Sequence, residues 1–212
     1  MREVTAPREA HHPSSGAARH VAPGPRLVPA SVAALATAVR DAPPRLGPVR
    51  LVCVDGPAGS GKSTLAGRLA DATGGVVVHL DDLYEGWSGL GRVWDRVEEQ
   101  LLAPLAAGRA ARYQRYDWDR AAFAEWRDVP VPAVLVLEGC GSAPAAADGR
   151  ASLVVWVEAP ADVRLARGIA RDGEALRAEW LRWMDLEEQH FVRERTRERA
   201  DVHVDGTAPY AP

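Results

Sequence analysis

Gly56-Pro57-Ala58-Gly59-Ser60-Gly61-Lys62-Ser63 is the stretch on which the reading of this 212-residue chain turns. It fits the spacing G-x-x-x-x-G-K-[ST] at every fixed position. An apolar run, Leu51-Val52-Cys53-Val54, precedes it, and a helical pattern begins near Lys62. A strand, a glycine-rich turn and a helix N-terminus in that order make a seat for phosphate. The glycines let main-chain N–H groups turn inward, and the helix end adds unpaired amides and the positive end of its dipole. At average residue usage the pattern arises by chance in a chain of this length on the order of one time in a hundred. The strand before it and the helix after it make chance rarer still.

Gly56, Pro57, Ala58, Gly59, Ser60, Gly61, Lys62, Ser63 and Thr64 are therefore the candidate nucleotide contacts. Lys62 is expected to reach the β- and γ-phosphates of ATP, and the Ser63 hydroxyl to bind Mg²⁺. Of the 26 basic residues, Lys62 is the single lysine and the rest are arginines. A site that needs a compact point charge, which a planar guanidinium does not replace, accounts for that exception.

Outward from the loop, short apolar segments alternate with helical ones. The strand candidates are Val49–Asp55, Val76–Leu80, Ala133–Leu137, Leu153–Val157 and Asp201–Val204. Most lack polar alternation, which is the pattern of strands covered on both faces. Helices are expected over 31–41, with Ser31 as N-cap, and over 62–72, 90–107, 161–171 and 175–199. This repetition predicts an α/β fold with a three-layer, doubly wound parallel sheet. Residues 109–130 are the least regular and read as an excursion from that core. Residues 1–29, rich in Pro, Ala and Arg, read as a disordered tail with His11, His12 and His20 solvated. Residues 30–212 then form one domain with its core from residue 49.

Composition narrows the partners. The net charge is −3, with no basic excess to suggest nucleic acid. No apolar run approaches the roughly 20 residues of a membrane span, and the N-terminal residues lack a signal-peptide stretch. With two cysteines, Cys53 and Cys140, a disulfide framework is not expected and a cytoplasmic location is.

In a doubly wound sheet, ligands lie beyond the carboxyl ends of the strands, so the residues there carry the chemistry. Asp81-Asp82 follow the second strand candidate and Glu138-Gly139 the third. Acids facing a phosphate site hold Mg²⁺, directly or through water, or take the proton of an attacking hydroxyl. Helix capping or turn formation is the other use of Asp in this position. Arg164, Arg167 and Arg171 fall three and four residues apart, so one helical face presents all three. They are either a solvated face or the cations that steady charge on a transferring phosphoryl group. Trp87, Tyr116 and Trp118 can stack a flat substrate, whereas Trp94 reads as core. Glu187-Glu188 read as a solvated face of the last helix, with Trp180 and Trp183 docking it on the core.

Taken together, these blocks resemble the uridine kinase and phosphoribulokinase branch of the P-loop kinases. The likeness runs over residues 49–206, through Gly56–Thr64, Asp81-Asp82-Leu83-Tyr84, Tyr116-Asp117-Trp118, Val136-Leu137-Glu138-Gly139, Asp162–Arg167 with Arg171-Asp172, and Ala200–Val204. The resemblance implies a P-loop NTPase fold with five core strands in the order 2-3-1-4-5, and ATP with Mg²⁺. It implies transfer of the γ-phosphoryl group to a small-molecule hydroxyl, and a lid at about 164–175 that closes over the phosphates. It makes Asp81 the base near Mg²⁺, with Ser63 and Glu138 as further metal contacts. Lys62, Arg167 and Arg164 become catalytic, and Tyr84, Tyr116 and Asp117 line the acceptor site. The chain departs from the pattern in three places. Glu85–Leu90 stands where an Asp-His-Pro segment is usual, Gln114 stands where Pro is common, and the lid is short.

Overall fold

The computed structural model describes residues 31–211; the expected tail, with His11, His12 and His20, lies outside them. Helix α1 (Val32–Asp41) starts at Ser31, whose hydroxyl accepts the Ala34 amide, and buries Val32, Leu35, Ala36 and Val39. Pro43-Pro44 follow its end and cannot continue it. Strand β1 (Arg50–Asp55), the phosphate loop and α2 (Lys62–Thr73) come next, then β2 (Val76–His79) and a 3₁₀ turn over Leu80–Asp82.

The expected helix over 90–107 is interrupted. A 3₁₀ stretch (Gly86–Arg92) leads into α3 (Val93–Val97), a π turn (Glu98–Leu102) and α4 (Ala103–Ala106). Pro104 has no N–H to give to the preceding turn, and the hydrogen-bond ladder changes register just before it.

Residues 109–130 are not irregular as expected. They form a two-stranded antiparallel hairpin, β3 (Ala111–Asp117) and β4 (Ala122–Val129), separate from the main sheet. A register shift between Gln114 and Tyr116 breaks the period of two in β3, and β4 is exposed at most positions. Neither strand therefore carries a clean apolar signal.

The main sheet adds β5 (Val134–Glu138), β6 (Ala151–Glu158) and β7 (Val202–Asp205). Its order is β2-β5-β1-β6-β7, and every pairing is parallel. Counted along the core strands alone, this is the expected 2-3-1-4-5. Side chains alternate between two buried clusters. Leu51, Cys53, Leu135 and Leu137 face α3, α4, α6 and the hairpin. Val52, Val54, Val136 and Val155 face α1 and α2. Full burial of one such side chain contributes about 2 kcal/mol, so both layers hold the sheet.

Helix α5 (Ala161–Asp172) is followed by a short 3₁₀ turn, α6 (Arg177–Glu194) and α7 (Thr196–Arg199). The single helix expected over 175–199 is thus broken. Arg195 takes a left-handed conformation, φ 52°. The turn brings Thr196 and Arg199 onto the Ala143 carbonyl. Among the described residues no helix is long and apolar enough to cross a membrane.

Candidate active site

The loop after β1 has little room for side chains. Gly56 has φ 135°, and a Cβ there would lie 2.0 Å from the Val157 carbonyl oxygen. A Cβ on Gly59, φ 76°, would lie 2.6 Å from the Arg164 carbonyl oxygen. Helix α2 begins at Gly61 with no side-chain cap, so its first amides remain available to an anion. Lys62 is buried, and its Nζ donates to the Pro57 carbonyl at 2.9 Å. Burial opposes the ammonium, but the Cys140 sulfur, Glu138, Glu187 and Asp55 outweigh it and raise its pKa.

Asp55 was not singled out by the sequence reading, yet it fixes the loop to its neighbour. It is fully buried, and Oδ1 accepts the Gly56 amide at 2.7 Å and the Gly141 amide at 2.8 Å. Oδ2 accepts the Ala143 amide at 2.8 Å. Burial pushes its pKa up to about 6, against the pull of the three amides and Lys62.

A cleft of about 540 Å³ opens over this loop. Lys62, Ser63, Asp81, Asp82 and Glu138 line one side of it. Asp81 and Asp82 reach it because the chain turns at Leu80–Asp82 as it leaves β2. The Asp81 carboxyl has its pKa raised by desolvation and then by the charge of Glu138. Asp82 accepts a hydrogen bond from the Tyr113 hydroxyl at 3.0 Å, which ties it to the hairpin. Glu138, 3% exposed, meets His79 Nδ1 at 2.5 Å. That hydrogen bond raises the His79 pKa against the effect of burial.

The cleft also has an aromatic lining. Trp87 meets Trp118, Trp183 and Trp180 edge-on, with ring centroids 5.6, 6.1 and 6.3 Å apart. All four line the cleft. Trp180 and Trp183 dock α6 as expected and form part of this wall as well. Tyr84 also lines the cleft, but its hydroxyl is committed to the Cys140 carbonyl at 2.7 Å. Burial holds the Cys140 thiol pKa well above its usual value.

Two expected acceptor residues fall elsewhere. Tyr116 is buried against Trp118 and Phe123. Asp117 accepts the Asp119 and Arg120 amides at 3.1 and 3.0 Å, a turn-forming role. The next residues, Trp118 and Asp119, in the turn that follows β3, line the cleft instead. Trp118 Nε1 donates to the Asp81 carbonyl at 2.9 Å, so the hairpin tip supports the acid-bearing turn.

The three arginines of α5 have different surroundings. Arg164 donates to Glu187 at 2.6 Å and to the Ala159 and Ala58 carbonyls. Arg167 donates to the Gly59 and Gly206 carbonyls, both at 3.1 Å. Arg171 lines the cleft, paired with Asp172 at 2.7 Å, and that hydrogen bond raises its pKa. Glu187 is 1% exposed, not part of a solvated face. Arg167 also borders a second cavity, of about 510 Å³, with Gly61, Thr64, Arg68, Gly206 and Tyr210.

The donor set fits Mg²⁺ bound beside a phosphate. Among the described residues no cluster of three or more His, Cys, Asp or Glu forms a cage for a metal ion. Ser63, Asp81 and Glu138 offer one hydroxyl and two carboxylates to the same cleft. Mg²⁺ commonly takes one or two protein carboxylates and completes its shell with water and phosphate oxygens.

No protein-family model matches the chain. It is 36% identical over 125 residues to a cytidylate kinase of Haloarcula marismortui, a match that takes in 58% of this chain. The match spans 59% of that relative's length. Among solved structures it is similar to that of a possible uridine kinase from Bacillus stearothermophilus. The TM-score there is 0.62 at 21% identity, over 82% of this chain and 97% of the other. A candidate fructose transport system kinase from a Silicibacter species gives 0.52 at 21% identity with the same coverage. These likenesses show the fold, a P-loop α/β architecture shared with uridine kinase-like and sugar kinase structures.

Proposed function

We propose that the protein is an ATP-dependent phosphotransferase that moves the γ-phosphoryl group onto a hydroxyl of a small molecule, best read as a nucleoside such as uridine or cytidine. The observation that carries this reading is a cleft lined by Lys62 and Ser63, by Asp81 and Glu138, and by four tryptophans. In this reading the loop 56–64 holds the phosphates of ATP. The second cavity, beside Gly61 and Tyr210, takes the base. Ser63, Glu138 and Asp81 would hold Mg²⁺, which when bound neutralises phosphate charge.

Asp81 accepts the proton of the attacking hydroxyl. Its carboxyl makes no hydrogen bond among the described residues, whereas Asp82 is engaged by Tyr113. Asp81 is exposed to the open cleft, and the Glu138 carboxylate beside it adds to the upward shift of its pKa, which makes it a better proton acceptor than an ordinary carboxylate. Lys62 and Arg171 steady the charge on the transferring group, and the lid at about 164–175 excludes water. Arg164 and Arg167 act through the loop carbonyls they hold.

Two features support an uncharged, flat acceptor. Trp87 and Trp118 offer ring faces and edges to a base. Lys62 and Arg171 are the cations among the lining residues, against Asp81, Asp82, Asp119, Asp172 and Glu138. An acceptor carrying its own phosphate would lack a cation of its own there, which favours a nucleoside over a nucleotide.

The test is an ATP-consumption screen over nucleosides, nucleotides, sugars and pantothenate-like alcohols, with a control lacking acceptor. ADP formation that requires a nucleoside is expected. Steady release of phosphate without any acceptor would overturn the reading in favour of an ATPase or nucleotide-dependent switch.

A further inference from the structure

Ala58 stands on the cleft wall in the middle of the phosphate loop, and both of its backbone polar groups are held by one ion pair. Its amide donates to Glu187 Oε2 at 2.7 Å. Its carbonyl accepts from Arg164 Nη1 at 3.3 Å. The same Nη1 donates to Glu187 Oε1 at 2.6 Å, and the Cys140 thiol donates to Oε2 at 3.4 Å. The side chains are 12% exposed for Arg164 and 2% for Glu187, so water competes little for these bonds.

The pair joins three parts of the fold. Arg164 comes from α5 and Glu187 from α6, and both close on the loop between β1 and α2. Trp183 and Trp180 lie four and seven residues before Glu187 on α6, so one helix face carries both the aromatic wall and the grip on the loop.

We infer that the Arg164–Glu187 pair is a positioning device for phosphate binding, which clips Ala58 in place and keeps the cradle formed before nucleotide arrives. A cradle ordered in advance does not have to be ordered on binding, and affinity rises accordingly. Neither residue is among those lining the cleft. Their effect passes through the Ala58 peptide groups. The inference rests on reading the loop as the nucleotide seat.

The test compares wild type, Glu187→Gln, Arg164→Met and the double variant. Amide hydrogen exchange over residues 58–60 is read without ligand and at saturating MgATP, alongside MgATP affinity by calorimetry and the melting temperature. Loss of one charged hydrogen-bonded pair should speed exchange at residues 58–60 by about tenfold in the free protein and weaken MgATP binding by about tenfold. Exchange should return to the wild-type level when MgATP is bound, and the double variant should be no worse than either single one. A general rise in exchange across the sheet would mark a merely structural role and overturn the inference. Unchanged loop exchange, or tighter MgATP binding by Glu187→Gln, would overturn it as well. Arg164→Met, at the more exposed end of the pair, carries the test if Glu187→Gln does not fold. Wild type that ignores MgATP would defeat the functional reading, while exchange in the free protein would still decide the clip.

Discussion

Replacing Asp55 by Asn should abolish one identifiable part of the protein's pH-dependent stability. Asp55 is fully buried, and burial pushes its pKa from 3.8 to about 6. An unfolded chain returns this carboxyl to its ordinary value, so between pH 4 and 6 the folded state binds more proton at this site. Stability therefore falls as pH rises through that window. Well below pH 4 the group is protonated in both states and contributes no slope. Well above pH 6 it is ionised in both, and the full penalty applies. A shift of about two units corresponds to about 3 kcal/mol. Asn keeps an oxygen for the Gly56 and Gly141 amides but turns an amide donor towards the Ala143 N–H, a fixed cost that does not vary with pH. Urea unfolding of both proteins from pH 4 to 7.5 isolates the contribution of this carboxyl. The stability of Asp55→Asn minus that of wild type should rise by about 2.5 kcal/mol across the range. A difference that stays flat, or that falls with pH, would refute the assignment of a desolvated buried carboxylate.

Other expected outcomes follow from the same geometry. Gly56→Ala would put a Cβ 2.0 Å from the Val157 oxygen, so it should lower the melting temperature sharply and remove MgATP binding. Gly67→Ala, in α2 with nothing within 4 Å, should instead stabilise by about 0.5–1 kcal/mol in urea unfolding. Asp81→Asn should cut turnover by about 10²-fold or more in the transfer assay, while Asp82→Asn should be milder. Trp87→Ala should raise the KM for the nucleoside by about tenfold with the KM for ATP unchanged, because in the proposed reading its ring packs against the nucleoside base.

The core was legible in the sequence because its strands are buried on both faces and its loop has an invariant mechanical job. Leu51 to Val54 point alternately into two clusters, and only apolar residues serve both. Glycines at 56 and 59 are required by close backbone approaches that no other residue allows. Asp81 and Glu138 could be read because strand ends in a parallel sheet open onto the ligand side. The hairpin was not legible. Its inward residues, Ala111, Tyr113 and Tyr116, lose their period at the register shift, and β4 is mostly exposed. Trp118 and Asp119, two residues on and in the turn after β3, reach the cleft in place of Tyr116 and Asp117.

The buried acids were hidden for a different reason. Glu187 sits in a run of charged residues whose helical spacing fits a solvated face, and only the packing of α6 against the loop turns it inward. Asp55 ends a strand directly before the first glycine of the loop, and that position was the signal that it faces the loop's amides. Arg164, Arg167 and Arg171 share one helical face, but periodicity does not reveal which carbonyls lie opposite. Two of them meet loop carbonyls, and the third lines the cleft.

Transfer of labelled γ-phosphoryl from ATP tests the central claim most directly, with the label followed in the presence and absence of a nucleoside. The account predicts label in an organic phosphate ester for wild type, only when the nucleoside is present, and none for Lys62→Ala. Label appearing in inorganic phosphate at the same rate with or without the nucleoside would contradict it.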